Sequence, residues 1–491
     1  MIADPHPATR DLAYRDAALL LEQLDAGTIT SVDIVQSLLQ RITAIDGAET
    51  DVALRSIIAV APDALDIAAE RDEQRSRGEL LGPLHGLPIV IKDNVEAVGL
   101  PCTAGSLALC DSPVNADAPV VQQLRAAGAI VTASTNLSEW ANIRSGASTS
   151  GWSAVGGLTG NPWALDRSPG GSSAGSGAAL AAGLAPLAIG TETDGSIVCP
   201  ASVNGVVGMK PTVGRIPGDG IVPISHSQDT AGPMARSVRD VALLWQALSG
   251  EQPQAPVDVT IGVVGQWRTG YEHTDRVFDD AVQQLRSSEA FAAVVDLEVP
   301  EMGDSEHADE LRVLLTELHD DLGAYLARRQ PTSGVRSLAD VVAFNRAHAE
   351  DELAVFGQEL FELALTWGGV DDEARAARAR NVEWARTTCL DPAFAQVDLL
   401  IAPTYAPAWK SDFALGHPRL GGSVTSPAAV AGYPLLSLPM GLVHGLPVGL
   451  TIVGPAYAEA AMLGVAAEIE RVLGVASRAD WAPGWRKPSR G

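Results

Sequence analysis

Lysine is nearly absent from this chain. Of 34 basic residues in 491, only Lys92, Lys210, Lys410 and Lys487 are lysines, and the other thirty are arginines. Cysteine is as scarce. Cys102, Cys110, Cys199 and Cys389 show no CxxC spacing, so neither a disulfide scaffold nor a recognisable zinc site is implied. The nine histidines never form HExxH, which removes the usual metalloprotease pattern. No basic cluster interrupts a net charge of −26. Phosphates must be met by clustered Lys and Arg, so a nucleic-acid-binding surface is excluded. The acidic excess bears on solubility rather than on fold or partner. The longest apolar stretch, from Ala178 to Ile189, is broken by Gly183 and Pro186 and is too short to span a bilayer, so no membrane partner is expected. The opening Met1-Ile-Ala-Asp-Pro-His6 lacks the basic and apolar regions of a signal peptide. A cytoplasmic location is therefore the default expectation, and an export signal already removed is the alternative to it.

Charged residues make up 19% of the chain and hydrophobic ones 46%, a balance that argues against disorder and for a substantial core. Residues 12–46 read as two helices. The second, from about Ser31, carries Val32, Val35, Leu38, Leu39 and Ile42 at helical spacing, with Thr30 and Asp33 as an N-terminal cap. Pro88-Ile-Val-Ile91 reads as a short buried strand running into Lys92. Ala129–Ala133 and Pro186–Ile189 read as two more, and Leu137 onward as helix. Residues 265–395 look mainly helical. Strand signals resume at Val397–Ile401, Leu435–Leu438 and Val448–Val453, and a helix follows from about 457 to 473. This alternation predicts an α/β fold: one large domain whose central mixed sheet takes strands from both ends of the chain, flanked by helices, with the helical middle as a cover.

Residues 145–209 are unlike the rest. These sixty-five residues hold only four charges, Asp166, Arg167, Glu192 and Asp194, where the chain average of 19% would give about twelve. They also hold fourteen Ser and Thr. Structureless loops of this length are uncommon in compact domains, so the composition reads as backbone approaching a ligand closely, with hydroxyls as the polar groups. Ser172, in Ser168-Pro-Gly-Gly-Ser-Ser173, and Ser196, in Gly190-Thr-Glu-Thr-Asp-Gly-Ser196, both follow glycine turns. Such a turn can expose a hydroxyl and aim main-chain N–H groups at one spot. Serine is a weak nucleophile at neutral pH and needs a base. No histidine lies in the window; the nearest, His85 and His226, read better as hydrogen-bonded loop residues. Lys92 is the other candidate. Burial disfavours its ammonium and lowers its pKa, and a lysine so perturbed can take a proton. Taken alone, it reads equally well as a lysine that snorkels to solvent or pairs with Asp93.

Leu84-His-Gly-Leu-Pro-Ile-Val-Ile-Lys-Asp93, Pro169-Gly-Gly-Ser-Ser173, Gly190-Thr-Glu-Thr-Asp-Gly-Ser-Ile197 and Gly205-Val-Val-Gly-Met-Lys-Pro-Thr212 together resemble the amidase signature family. The likeness continues through Asp229-Thr-Ala-Gly-Pro-Met-Ala-Arg236 and Ala431-Gly-Tyr-Pro434 to Gly445-Leu-Pro-Val-Gly449, covering most of the chain in order. It implies the amidase-signature fold as a single amidase domain over 1–491, with a signature core at about 84–236, the helical cover at about 265–395 and returning strands at about 396–475. It also implies a Ser-Ser-Lys triad: Ser196 the acyl-forming nucleophile, Ser172 the bridging serine and Lys92 the base. The main-chain N–H groups of Thr193, Asp194, Gly195 and Ser196 become the oxyanion hole, and Gly171 and Ser173 support the network. The resemblance further implies a cis peptide after Gly171; a non-proline cis bond costs about 3–4 kcal/mol, so a site that keeps one uses it. No metal or cofactor is called for. The expected partner is a small-molecule or peptide amide, and a homodimer is left open.

Two departures bear on the substrate. The commonest family pattern has two glycines before the nucleophile and an Arg two residues after it, where this chain has Asp194-Gly195 and Val198. Asp194 adds a carboxylate beside the expected oxyanion hole, either to cap a turn or to orient a substrate N–H or a water. The Asp-Gly-Ser-Ile-Val-Cys-Pro200 variant is similar to the peptide amidase branch, as are Arg336–Asn345, Phe356–Leu360, Asn136–Asn142 and Ser150–Trp152. The expected activity is hydrolysis of C-terminal peptide amides or other primary amides through an acyl-enzyme, releasing ammonia. The alternatives are an aryl-acylamide, ester or carbamate hydrolase, a component of an amidotransferase, and a non-catalytic binding protein.

Overall fold

The computed structural model describes residues 12–414, 416 and 424–475; the Met1–His6 segment and Lys487 lie outside them. Thirteen strands are present among the described residues. They are β1 (Ile57–Val60), β2 (Pro88–Lys92), β3 (Ile130–Thr135), β4 (Trp152–Ser153), β5 (Gly157–Leu158), β6 (Leu187–Glu192), β7 (Val207–Lys210), β8 (Thr230–Ala235), β9 (Thr260–Val264), β10 (Ala293–Leu297), β11 (Leu399–Pro403), β12 (Leu435–Val443) and β13 (Leu446–Val453). Eleven form one mixed sheet in the order β1-β3-β2-β6-β8-β7-β12-β13-β11-β9-β10, and β4 and β5 pair separately. Strands from the first half of the chain thus meet strands from its end at the β7–β12 seam, where Leu435 faces Lys210.

β2 runs parallel to β3 on one side and to β6 on the other. All three are buried along their whole length, which is why they read as unbroken apolar runs rather than as alternating ones. Successive side chains still point to opposite faces. Ile89 and Ile91 pack into the large core with Leu20, Leu24, Ile34 and Val35. Val90 faces the other way, against Leu180, Ile197 and Ala201. A fully buried Ile or Val contributes about 1.5–3 kcal/mol. Lys92 is in phase with Val90, so the strand delivers an ammonium-bearing side chain into the layer built by the helices Ala174–Ala181 and Val198–Asn204.

The N-terminal helices fall where their periodicity places them, at Ala17–Asp25 and Ser31–Ile45. The second opens with a complete capping box: the Thr30 hydroxyl accepts the Asp33 N–H and the Asp33 carboxylate accepts the Thr30 N–H. The middle of the chain is chiefly helical, with Asp304–Arg329, Leu338–Ala347, Glu359–Trp367 and Asp372–Glu383 as its main elements. Leu315, Leu318, Leu322 and Phe361 of this cover close on Trp140, Ile143, Val222 and Ile224 of the core. β9 and β10, on the far edge of the sheet, were not expected. β10 is half-exposed and reads Ala-Val-Val-Asp-Leu, too short and too mixed to stand out within a helical stretch. No described helix is long and apolar enough to cross a membrane.

The helix expected from Leu137 is not formed. Residues Glu139–Asn142 make a 3₁₀ turn with Trp140, Ala141 and Asn142 at φ of +47°, +53° and +73°. Long-range hydrogen bonds take the place of helical ones. The Ser138 hydroxyl donates to the Gly171 carbonyl at 2.8 Å, and the Trp140 N–H donates to the Ala104 carbonyl at 2.9 Å. Beside this turn Arg144 is fully buried. It pairs with Glu139 at 2.7 Å, stands 3.7 Å from Glu352 and stacks on Phe356. Burial pushes the Glu139 carboxyl well above the usual range, opposed by the Arg144 charge. Arg144→Met is expected to lower stability by about 3–5 kcal/mol, because it leaves two buried carboxyl groups without a cation. Equilibrium denaturation would measure it, and a loss under 1 kcal/mol would contradict the assignment.

Candidate active site

Lys92 ends β2 and is fully buried. Its Nζ lies 2.8 Å from Ser172 Oγ, 2.8 Å from Thr191 Oγ1 and 3.2 Å from the Thr191 carbonyl. Asn94 Nδ2 donates to the same Thr191 hydroxyl at 3.0 Å. Burial lowers the Lys92 pKa from 10.5 to about 7, with Asp229 and Glu192 holding it up. The pairing with Asp93 entertained for Lys92 is not made: that carboxylate accepts the Cys102 and Thr103 N–H groups at 3.0 and 2.9 Å instead. Lys92, Thr191 and Thr135 all sit at the C-terminal edge of parallel β2, β6 and β3, the edge where open α/β sheets carry their ligands.

Ser172 is fully buried at the end of the Ser168–Ser173 turn. Every peptide bond among the described residues is trans, so the cis bond expected after Gly171 is absent. Two successive glycines turn the chain there instead, Gly170 at φ +73° and Gly171 at φ +27°. A Cβ on Gly171 would stand 2.5 Å from Pro200 Cδ, so the close approach of this turn to the helix after Ser196 requires glycine. Ser173 locks the strand beside it: its hydroxyl donates to the Thr191 carbonyl at 3.0 Å and accepts the Thr191 N–H at 3.1 Å. The Ser173 N–H donates to the Ser196 carbonyl at 3.0 Å. The two serine turns are therefore stitched together through main chain.

Ser196 is 9% exposed and opens into a cavity of about 210 Å³ lined by Gly171, Thr193, Asp194, Gly195, Cys199 and Tyr405, among others. Its hydroxyl makes no hydrogen bond among the described residues, and neither do the main-chain N–H groups of Thr193, Asp194, Gly195 and Ser196. Successive unpaired main-chain donors of this kind are able to bind an anion. Gly195, at φ +78°, lets the loop pass under Tyr405: a Cβ there would lie 2.8 Å from the phenol oxygen. The loop is braced from below. Glu192 Oε2 accepts the Ile197 and Val198 N–H groups at 2.6 and 3.0 Å, and the Thr193 hydroxyl donates to Asp229 at 2.5 Å. Asp194 Oδ2 accepts the Ser426 hydroxyl at 2.6 Å, so its carboxylate ties the loop to the segment leading into Ser426–Ala431. A second cavity of about 520 Å³, bordered by Thr191, Asp229 and Tyr325, shares Ala141, Thr193 and Ile224 with the first.

The two nearest histidines lie elsewhere. His85 is buried behind the sheet, accepting the Leu81 N–H at 3.1 Å and bonding the Arg71 carbonyl at 2.9 Å. His226 sits at the rim of the larger cavity, paired with Asp321 at 2.9 Å. Among the other residues around Lys92 and Ser196, sequence reasoning missed Thr191, Asn94, Asp229 and Tyr405. Thr191 and Asp229 lie inside the quoted motifs, but a strand threonine and a loop aspartate carry no signal of whom they contact. Tyr405 comes from the far end of the chain and has no local cue.

The Amidase family model matches residues 33–463. The native peptide amidase of Stenotrophomonas maltophilia is 42% identical, with a TM-score of 0.89 over 98% of this chain and 100% of that one. The peptide amidase PAM bound to the competitive inhibitor chymostatin is 42% identical, with a TM-score of 0.87 over 95% of this chain and 98% of that one. A glutamyl-tRNA(Gln) amidotransferase subunit from Salinispora tropica is 36% identical over 503 residues, which span 94% of this chain and 98% of the relative.

Proposed function

The chain belongs to the amidase signature family, and from that premise we propose that it is a serine amidohydrolase that cleaves primary carboxamides, above all C-terminal peptide amides, through an acyl-enzyme. One observation carries the reading: a fully buried lysine stands 2.8 Å from Ser172 Oγ, beside a loop of four unpaired N–H groups that ends at Ser196.

In this mechanism Lys92 is neutral when the substrate binds. Its lone pair then accepts a hydrogen bond from Ser172, and Ser172 in turn takes the proton of Ser196 as that side chain rotates toward it. The link from Ser196 closes with the substrate in place, since catalytic hydrogen bonds are often long in the free enzyme. Ser196 Oγ attacks the amide carbonyl carbon. The oxyanion settles against the N–H groups of Thr193, Asp194, Gly195 and Ser196, where a single preorganised donor is worth about 10²–10³ in rate. The proton held by Lys92 returns through Ser172 to the leaving nitrogen, the C–N bond breaks and ammonia departs. Water, deprotonated by the same relay, then releases the carboxylate.

The preference for peptide amides rests on the likeness to peptide amidase in overall structure and in the Asp194–Pro200 variant. Ammonia and arylamine release from a panel of peptide amides, free amino-acid amides, anilides, esters and carbamates tests it. Peptide amides are expected to give the highest kcat/KM, by at least tenfold over anilides and esters; the reverse order would contradict it. The likeness to amidotransferase components supports a second reading, in which the chain works with partners. Ammonia release from peptide amides by the purified chain alone, without ATP or a second polypeptide, distinguishes the two.

A further inference from the structure

Ammonia is small, so an enzyme that releases it needs room chiefly for the acyl part of its substrate. The cavity that holds Ser196 offers about 210 Å³, and its neighbour offers about 520 Å³. The larger volume falls within the range of sites that enclose a drug-sized ligand. The two cavities share Ala141, Thr193 and Ile224. Thr193 is the first of the four unpaired N–H donors, so a carboxamide held on that loop adjoins the larger cavity. Buried apolar side chains supply much of the wall there, among them Ile216, Ile221, Val222 and Ile224.

Two polar groups in that wall have hydrogen-bonding capacity left over. Asn94 and Thr191 are both buried and both border the cavity. Thr191 Oγ1 lies 2.8 Å from Lys92 Nζ and accepts Asn94 Nδ2 at 3.0 Å. In the relay the lone pair of Lys92 belongs to Ser172, so the lysine donates to Thr191. Both lone pairs of the threonine oxygen are then occupied, and its own proton meets no acceptor among the described residues. Asn94 Oδ1 is buried and has no hydrogen-bond partner. Neighbouring polar groups are already engaged. Asp229 accepts the Thr193 hydroxyl and the Ile224 and Ser225 N–H groups, and the Thr230 hydroxyl donates to the Ala231 carbonyl at 3.0 Å. Arg328 pairs with Glu96 at 3.0 Å. A buried acceptor without a donor is unfavourable, and a bound donor removes that penalty. A free hydroxyl proton beside a free carboxamide oxygen is the complement of a peptide unit, which carries one acceptor and one donor.

We propose that the larger cavity holds the acyl chain and that Asn94 and Thr191 together read one of its peptide units. Asn94 Oδ1 accepts the N–H of that unit, and the Thr191 hydroxyl donates to its carbonyl oxygen. Asn94 is thereby a specificity-determining residue. The preferred substrates carry at least one peptide unit behind the scissile carboxamide, and simple aliphatic amides lack the group that is read. Thr191 lies in β6, two residues before Thr193, a span of roughly 7 Å in extended chain. A substrate chain advances at most about 3.6 Å per residue, so the unit concerned is the first or the second behind the carboxamide. The inference rests on the amidohydrolase reading above and adds the substrate group that the site recognises.

The test compares an acetylated dipeptide amide with two analogues, in each of which an ester oxygen replaces one of the two N–H groups of the acyl chain. Ammonia release is read as kcat and KM. In the wild-type chain one analogue is expected to lose about tenfold in kcat/KM, mainly through KM, because the contact is made in the bound state and kept in the transition state. In Asn94→Leu the same analogue should fall within threefold of the parent amide. Asn94→Leu also removes the N–H held on Thr191, so its rates should drop for every substrate. The ratio between substrates is what decides, and an asparagine with a purely structural role would not move it. Asn94→Ala carries the same expectation if Asn94→Leu fails to fold. A wild-type chain indifferent to both replacements, or an Asn94 variant that keeps the tenfold preference, would overturn the proposal while leaving the amidohydrolase reading standing. No ammonia release from any peptide amide would bring down both.

Discussion

Ser196→Ala is expected to abolish hydrolysis, with kcat falling by about 10⁴–10⁶-fold, the range seen when a serine hydrolase loses its nucleophile. The substitution removes one oxygen that makes no hydrogen bond among the described residues and that faces the 210 Å³ cavity. It should therefore leave the fold and the melting temperature unchanged. The wild-type chain is expected to take up a fluorophosphonate covalently at Ser196, and the same variant should lose that labelling. Labelling that persists in the variant, or ammonia release within tenfold of wild type, would move the nucleophile elsewhere. A chain that never labels would be a binding protein on an amidase scaffold.

Lys92→Ala should be nearly as damaging, with a loss of about 10³–10⁴-fold, at the upper end of what a general base contributes. Lys92→Arg should not rescue it, because a guanidinium stays protonated and has no lone pair to offer. The same lysine works against stability. Burial lowers its pKa in the folded chain from 10.5 to about 7. Between those values the unfolded chain holds a proton that the folded chain does not, so stability rises with pH across that window. The cost is fully present below about pH 7 and gone above about 10.5. Lys92→Met removes the buried amine and should give an inactive protein about 1–3 kcal/mol more stable at neutral pH, after allowing for the hydrogen bonds it forfeits. An active Lys92→Ala enzyme, or a Lys92→Met protein markedly less stable than wild type, would contradict this account.

How much of this site can be read from the chain depends on the range of the interaction. Lys92 stands out because Pro88–Ile91 is an apolar run long enough for a strand buried on both faces, so whatever follows it is buried too. Ser172 and Ser196 stand out because glycines on positive φ surround them. The buried strands β2, β3 and β6 follow from the same apolar runs, and the Ser31–Ile45 helix from its cap and its spacing. What is not legible is pairing across distance. The left-handed run Trp140–Asn142 is dictated by contacts with Ala104 and Gly171, not by its own residues. β10 is an edge strand whose short, mixed sequence does not stand out among helices. The motif likeness also carried an expectation of a cis bond after Gly171, which the described residues do not show. The scarcity of lysine itself divides in the same way: Lys410 is exposed and meets Arg167 only through main chain, whereas Lys92 and Lys210 are both fully buried.

The central claim is that a neutral Lys92 receives the proton of Ser196 through Ser172, and the pH dependence of kcat/KM for one peptide amide tests it most directly. Measured from pH 5 to 9, the rate should rise tenfold per unit up to about pH 7, so that it reaches about 1% of its maximum at pH 5, and stay level above. A rate that does not change between pH 5 and 8 would contradict it.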